Sequence, residues 1–382
     1  MSEEKLIPFN RPSLQGHEIE YVTRAVLNGH ISGDGQFTKK CHAYFEKELG
    51  CARALLTTSC THALEMSAIL GEIGAGDEVI VPSFTFVSTV NAFVLRGAVP
   101  VFCDIRPDTL NLDERQLESL ITPRTKAIVP VHYAGVGCEM DAICEIANRH
   151  DLMVIEDNAH GLFGKYKEKL LGTFGVMATQ SFHETKNITC GEGGALIINN
   201  PQLAARAEVI REKGTNRSQF FRGEVNKYGW VDIGSSYLPS DALAGFLFAQ
   251  LEHATTIQRK RQAIWKRYAE ALGDWAGAAG VRLPFVPATC EQAWHMFYLI
   301  CPNLSWRTRF IKSLRERGVH SVFHYLPLDS SEMGKRVGRA PNGCPVTAEM
   351  SDRIVRLPLY ADLSEEEQSR VIDSILGFDY RG

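Results

Sequence analysis

Short runs of consecutive apolar residues alternate with stretches of helical apolar spacing through the first half of the chain. The runs lie at residues 54–57, Glu78–Pro82, Val99–Cys103, 126–131, 152–155 and 195–198. Between the first five, residues 61–71, 88–96, 113–121 and 140–150 read as amphipathic helices. Continuous apolar strands separated by such helices predict an α/β fold with a mainly parallel sheet covered on both faces. A further strand-like run ends at Ser181-Phe182-His183, just before a glycine-rich turn containing Gly191, Gly193 and Gly194.

The flanks follow other patterns. Residues 18–29 have helical spacing, Ser32-Gly33-Asp34-Gly35 interrupts it, and Thr38 is the expected cap of a helix reaching Leu49. Asn200 and Pro201 open a helix that Gly214 closes. Residues 214–236 read as a long polar loop, and residues 240–272 as one long helix bridging to a second unit. That unit is expected to be α+β: a strand at 296–301, a helix at 305–318, a strand at 319–325, then two helices. Ser364 with Glu367 forms a capping box for the last. The expected division is a large domain with an N-terminal arm at residues 1–254 and a smaller one at 255–382.

Composition narrows the function. The chain has 382 residues, 23% of them charged, and a net charge of −4 with both signs interspersed. That excludes a broad basic footprint for nucleic acid or membrane surfaces. Met1-Ser2-Glu3-Glu4-Lys5 leads into the chain without a signal peptide, and no apolar run is long enough to cross a bilayer. The ten cysteines never form C-x-x-C. They read as reduced thiols of a cytoplasmic protein, and no metal is expected.

Open parallel sheets bind ligands outside the carboxyl ends of their strands. Three ends here carry unusual groups. The first runs through Thr57, Thr58, Ser59, Cys60 and Thr61 straight into a helix, whose first amides suit a phosphate; taken alone, it reads rather as a capped helix. The second ends in Glu156 and Asp157, and a carboxylate there can pair with a protonated ring nitrogen. The third, Ser83 to Ser88, offers Phe84 or Phe86 as a platform for a planar ring, though either phenylalanine alone suggests core packing. Between strand and glycine turn lies Lys186 in QSFHETKNITCGEGG, a candidate Schiff-base lysine. Together they supply a phosphate cup, a ring platform, an acid and a lysine, which fits pyridoxal 5′-phosphate. Neither G-x-G-x-x-G nor G-x-S-x-G occurs, and His183-Glu184 lacks a second histidine for H-E-x-x-H.

The stretches SCTHALEM, GDEVIVPSFTFVSTVNAFVLRGA, VFCDIRPDTLNLD, VPVHYAG, VIEDNAHG, SFHETKN and GEGGA resemble the sugar-nucleotide aminotransferases of the DegT/DnrJ type. Their fold is that of aspartate aminotransferase, fold type I. REKGTNRSQFFRGEVNKYGWVDIGSSYLPSD is similar to the members that convert TDP-4-keto-6-deoxyglucose to TDP-4-amino-4,6-dideoxygalactose. The resemblance implies that Lys186 holds the cofactor covalently and that Asp157 pairs with its pyridinium. It implies phosphate contacts from Ser59, Cys60, Thr61 and the Ser181 hydroxyl, a stacked Phe86, and His160 beside the ring.

The resemblance also implies a homodimer with active sites at the subunit interface, using L-glutamate and a nucleotide sugar. Ser236 stands where the family usually places an asparagine reaching the partner's phosphate. Asp329 stands where it usually places a histidine. Arg217, Arg222 and Lys227 are candidates for the diphosphate, and His324 and Tyr325 for the substrate side. Competing expectations are a 3-amino or 4-amino-glucose-type product, a dehydratase (disfavoured by Lys186), a non-catalytic binding protein and a nicotinamide oxidoreductase.

Overall fold

The computed structural model describes residues 6–380; Met1, Ser2, Glu3, Glu4 and Lys5, read above as free of a signal peptide, lie outside them. The predicted apolar runs become β1 (Arg53–Thr57), β2 (Glu78–Pro82), β3 (Val99–Cys103), β4 (Thr125–Ile128), β5 (Met153–Asp157) and β7 (Gly194–Ile198). The strand before the glycine turn is β6 (Met177–Ser181). The described residues form a seven-stranded sheet in the order β1-β7-β6-β5-β4-β2-β3. Only β7 runs against its neighbours, β1 and β6. Every residue of β2, β6 and β7 is buried, as expected of strands covered on both faces. The carboxyl ends of the parallel strands therefore share one edge.

Helices α1 (Glu18–Leu27), α2 (Gln36–Leu49), α3 (Cys60–Leu70) and α4 (Ser88–Val94) pack around this sheet. Ile69, Val79, Phe93 and Ile155 share one core cluster, and Phe37, Phe45, Phe182 and Leu247 another. In the C-terminal unit, β8 (Tyr298–Ile300) pairs antiparallel with β9 (Ile354–Arg356). Its core gathers Trp306, Phe310, Leu314, Val371 and Ile375, and Ile7 from the N-terminal arm joins it. Ile7 is tied there by backbone bonds to Gly318 and His320. We propose the division near residue 254, with the start of the arm docked on the smaller unit. Phe84, Tyr133, Met296 and Ile354 form a cluster between the two.

Several expectations change. Thr38 does not cap α2, which begins at Gln36. The cap comes from Asp241, whose carboxylate accepts from the amides of Phe37 and Thr38 at 3.2 and 2.8 Å and from the Thr38 hydroxyl at 2.8 Å. The long helix divides at His253 into Asp241–Glu252 and Ala254–Ala279. The first half packs against α1 and α2, and the second against Glu365–Leu376. Residues 319–325 do not form a strand: Val319 and Val322 make single bridges to Ile7 and Arg356. Three helices follow, Glu332–Val337, Pro345–Arg353 and Glu365–Leu376, the last with the expected Ser364–Glu367 capping box. The polar loop contains a short helix, Arg217–Phe221. Residues 113–121 form a tight turn at Glu114–Gln116 and one helical turn at Leu117–Leu120.

Candidate active site

A cavity of about 650 Å³ opens at the carboxyl edge of the sheet. Ser59, Cys60, Thr61, Phe86, Asp157, His160, Ser181, Lys186, His324 and Tyr325 all line it. Lys186 sits in the turn after β6, where its amide donates to His183 O at 2.9 Å. Burial pushes its amine down from 10.5 to about 8, against the opposing pull of the Asp157 carboxylate. A lysine nucleophile must be unprotonated to attack a carbonyl. Capture of pyridoxal phosphate by the cofactor-free protein should therefore accelerate with rising pH through about 8. Stopped-flow absorbance measures it, and a midpoint near 10.5, the ordinary lysine value, would show the amine to be solvated.

Asp157 ends β5 and is buried. One carboxylate oxygen accepts from Thr89 Oγ1 at 2.7 Å and the other from the amide of Ala159 at 3.1 Å. Thr89 is in turn held by Thr85 at 2.8 Å. The carboxylate is thus fixed before any ligand arrives.

Where β1 becomes α3, Ser59 Oγ accepts from the amide of His62 at 3.1 Å. The earlier amides, of Cys60 and Thr61, have no carbonyl one turn back and border the cavity. Burial pushes the Cys60 thiol up to about 12, with Asp157 adding to the rise, so it is a neutral wall rather than a nucleophile. Gly194 explains part of the glycine turn. A Cβ at this position would lie 2.4 Å from the Cys60 amide nitrogen and 2.4 Å from the Ser59 carbonyl carbon. Only glycine lets β7 pass this close beneath the cup.

The structure separates the two phenylalanines. Phe84 is core, 5.1 Å from the Tyr133 ring, whereas Phe86 is 57% exposed and borders the cavity. Opposite lies a cluster of rings. His160 stacks on His295 at 4.3 Å, and His295 Nδ1 meets Asn187 Oδ1 at 2.9 Å. His324 Nδ1 is hydrogen-bonded to Tyr133 Oη at 2.7 Å and stacks on Tyr325 at 3.5 Å. Burial holds His160, His295 and His324 well below the ordinary imidazole range, so all are neutral at pH 7. Tyr325 has φ of 22°, which aims its ring at the cavity and prevents an extended strand here.

Other candidates lie elsewhere in the single chain. Ser236 is exposed and bridges to Glu212. Arg217 faces Glu212 at 3.7 Å, Arg222 pairs with Glu208 at 2.9 Å and Glu224 at 2.6 Å, and Lys227 is exposed. Asp329 does not line the cavity. Its carboxylate accepts from Ser83 Oγ at 2.5 Å, and its amide donates back to that oxygen at 3.1 Å, pinning the end of β2 to the C-terminal unit. Sequence reasoning missed Thr89, His295 and Arg356. A threonine in the first turn of the helix that follows β2, and a histidine opening an apolar strand, were the available signals.

A model of the DegT/DnrJ/EryC1/StrS aminotransferase family matches residues 12–376. The chain belongs to this family. It is 32% identical to the Bacillus subtilis spore coat polysaccharide biosynthesis protein SpsC, covering 97% of this chain and 96% of the relative. A Streptococcus pneumoniae protein solved in the PMP form superposes with a TM-score of 0.90 at 26% identity, covering 97% and 98% of the two chains. Helicobacter pylori PseC, an aminotransferase of pseudoaminic acid biosynthesis, superposes with a TM-score of 0.85 at 25% identity, again over 97% and 98%.

The family is pyridoxal phosphate-dependent, and the chain is a sugar aminotransferase of this type. The residues lining the cavity fit the cofactor: Lys186 would take its aldehyde carbon, Asp157 its ring nitrogen, the start of α3 and Ser181 its phosphate, and Phe86 and His160 would lie beside its ring. Bound there, it supplies an electron-withdrawing ring that stabilises negative charge at the carbon bearing the amine. Among the described residues no helix is long and apolar enough to cross a membrane.

Proposed function

We propose that the chain transfers the amino group of L-glutamate to the C4 ketone of TDP-4-keto-6-deoxy-D-glucose, giving TDP-4-amino-4,6-dideoxy-D-galactose and 2-oxoglutarate. The observation that carries the chemistry is the buried Lys186 amine sharing one cavity with the anchored Asp157 carboxylate. Once displaced by the donor, the Lys186 amine is the base that takes the proton from the donor's α-carbon. A base held in place is worth roughly 10²–10⁴ in rate. The neutral histidines and Tyr325 line the substrate side, orienting the sugar by hydrogen bonds without competing for that proton. The choice of sugar rests on the stretch REKGTNRSQFFRGEVNKYGWVDIGSSYLPSD. The name of SpsC, a spore coat polysaccharide biosynthesis protein, supports a place in cell-surface polysaccharide synthesis, and the reading of the ten cysteines as reduced thiols supports the cytoplasm.

The working unit in this proposal is a homodimer. The loop carrying Arg217, Arg222, Lys227 and Ser236 does not line its own chain's cavity. It exposes Phe221, Trp230 and Val231, which supports its reaching a second copy. NMR of the product made from glutamate and TDP-4-keto-6-deoxyglucose tests the substrate assignment. An axial 4-amino group is expected; an equatorial one, or a 3-amino sugar, would refute it. Alanine at Arg217, Arg222 and Lys227 should raise KM for the nucleotide sugar and leave the glutamate half-reaction unchanged.

A further inference from the structure

Tyr325 is held in a conformation that residues with side chains avoid. Its φ is 22°, and such strain persists only where neighbouring contacts over-determine it. The N-terminal side is well tied. Val322 and Arg356 exchange backbone bonds of 3.2 and 2.7 Å, His324 Nδ1 meets Tyr133 Oη at 2.7 Å, and Ser351 Oγ donates to Tyr325 O at 2.8 Å. On the other side Leu326 is exposed, and Pro327 has no amide to donate. The chain is next caught at Ser83, a buried residue just past β2. Ser83 O accepts from the Leu328 amide at 3.1 Å. Ser83 Oγ accepts from the Asp329 amide at 3.1 Å and donates to the Asp329 carboxylate at 2.5 Å.

We infer that Ser83 and Asp329 are a positioning pair: they hold Tyr325 in place to receive a hydroxyl of the keto sugar. The inference rests on the aminotransferase reading above and concerns the sugar half of that reaction. Tyr325 lines the cavity between Phe86, 6.3 Å away between ring centres, and His160, whose Nε2 is 3.5 Å from its hydroxyl. Desolvation pushes its phenol up, so it is neutral. A neutral phenol suits a sugar hydroxyl, whereas the carboxylates of glutamate call for a cation. Without the Asp329 carboxylate, the backbone at Tyr325 can relax and carry the phenol away from the cavity. The chain beyond does not depend on this tie. Arg339 donates twice to Glu78, at 3.1 and 2.7 Å, and Asp104 accepts from the amides of Val346 and Thr347, both at 2.8 Å. Loss of the pair therefore loosens residues 325–329 and leaves the fold in place.

Asp329→Ala, Ser83→Ala, the double variant and Asp329→Asn test this in the cofactor-loaded enzyme. In both alanine variants, amide hydrogen exchange read by mass spectrometry should quicken in the peptide spanning residues 323–331 and in no peptide of the sheet. KM for the keto sugar should rise roughly ten- to a hundredfold, the scale of a small misplacement at a site. The single-turnover rate with glutamate should stay at the wild-type value. The double variant should lose no more than either single one, since all three lack the same bond. Asp329→Asn keeps an oxygen for Ser83 and should recover most of the loss. Wild-type KM in both alanine variants, an equal loss in the glutamate half-reaction, or additive losses in the double variant overturn the proposal. The kinetics use a keto sugar that the wild-type enzyme turns over. If the wild type rejects TDP-4-keto-6-deoxyglucose, the sugar assignment fails by itself, while unchanged exchange at residues 323–331 still overturns the pair's role.

Discussion

Lys186→Ala and Lys186→Arg should abolish transamination. In the proposed mechanism the same amine would link the cofactor and move the proton, so the loss should exceed the roughly 10²–10⁴ of a general base alone. Arginine keeps a positive charge, but it cannot be deprotonated at working pH and so cannot replace the nucleophile. Both variants should still fold, because Lys186 lines a cavity rather than filling a core. They should also lose the visible absorbance of the lysine-linked cofactor. Steady-state turnover with glutamate and a keto sugar measures the first effect and a spectrum the second. Wild-type turnover in either variant would remove Lys186 from the mechanism.

The second large effect is expected at Asp157. Asparagine preserves shape but removes the negative charge proposed to face the ring nitrogen. Breaking a buried ion pair from one side costs about 3–5 kcal/mol. If that loss falls on the transition state, turnover drops roughly 10²–10⁴-fold. The loss should fall on kcat more than on cofactor content, because the phosphate cup and Lys186 still hold the cofactor. Thr89→Val should give a smaller loss of the same kind, since Thr89 only orients the carboxylate. A D157N enzyme with unchanged kcat would mean that the ring nitrogen is paired elsewhere.

Much of this was legible in the sequence, for physical reasons. Strands buried on both faces must be continuously apolar, so the sheet could be read from its runs. The rule placing ligands at carboxyl edges then picked out Asp157, Lys186 and the start of α3, and the structure brings these into one cavity. Ser364 and Glu367 are three residues apart, and their capping box is a local fact.

What could not be read was nonlocal. Asp241 caps α2 from far along the chain, while Thr38 looked like the cap because local spacing shows only local donors and acceptors. The helical pattern ran unbroken across His253 because both halves bury an apolar face, but against different layers. Residues 319–325 alternate like a strand, yet His324 and Tyr325 are turned into the cavity and Tyr325 leaves the extended region. Arg356 and Asp329 follow the same logic. Nothing near either residue in the chain says that one borders the site and the other ties Ser83.

The central claim is that one lysine at one place carries the chemistry. Borohydride reduction of the cofactor-loaded protein, followed by proteolysis and mass spectrometry, tests it most directly. The account predicts a phosphopyridoxyl group on the peptide containing Lys186 and on no other. A modification at any other lysine, or none on a chain that binds the cofactor and turns over, would contradict it.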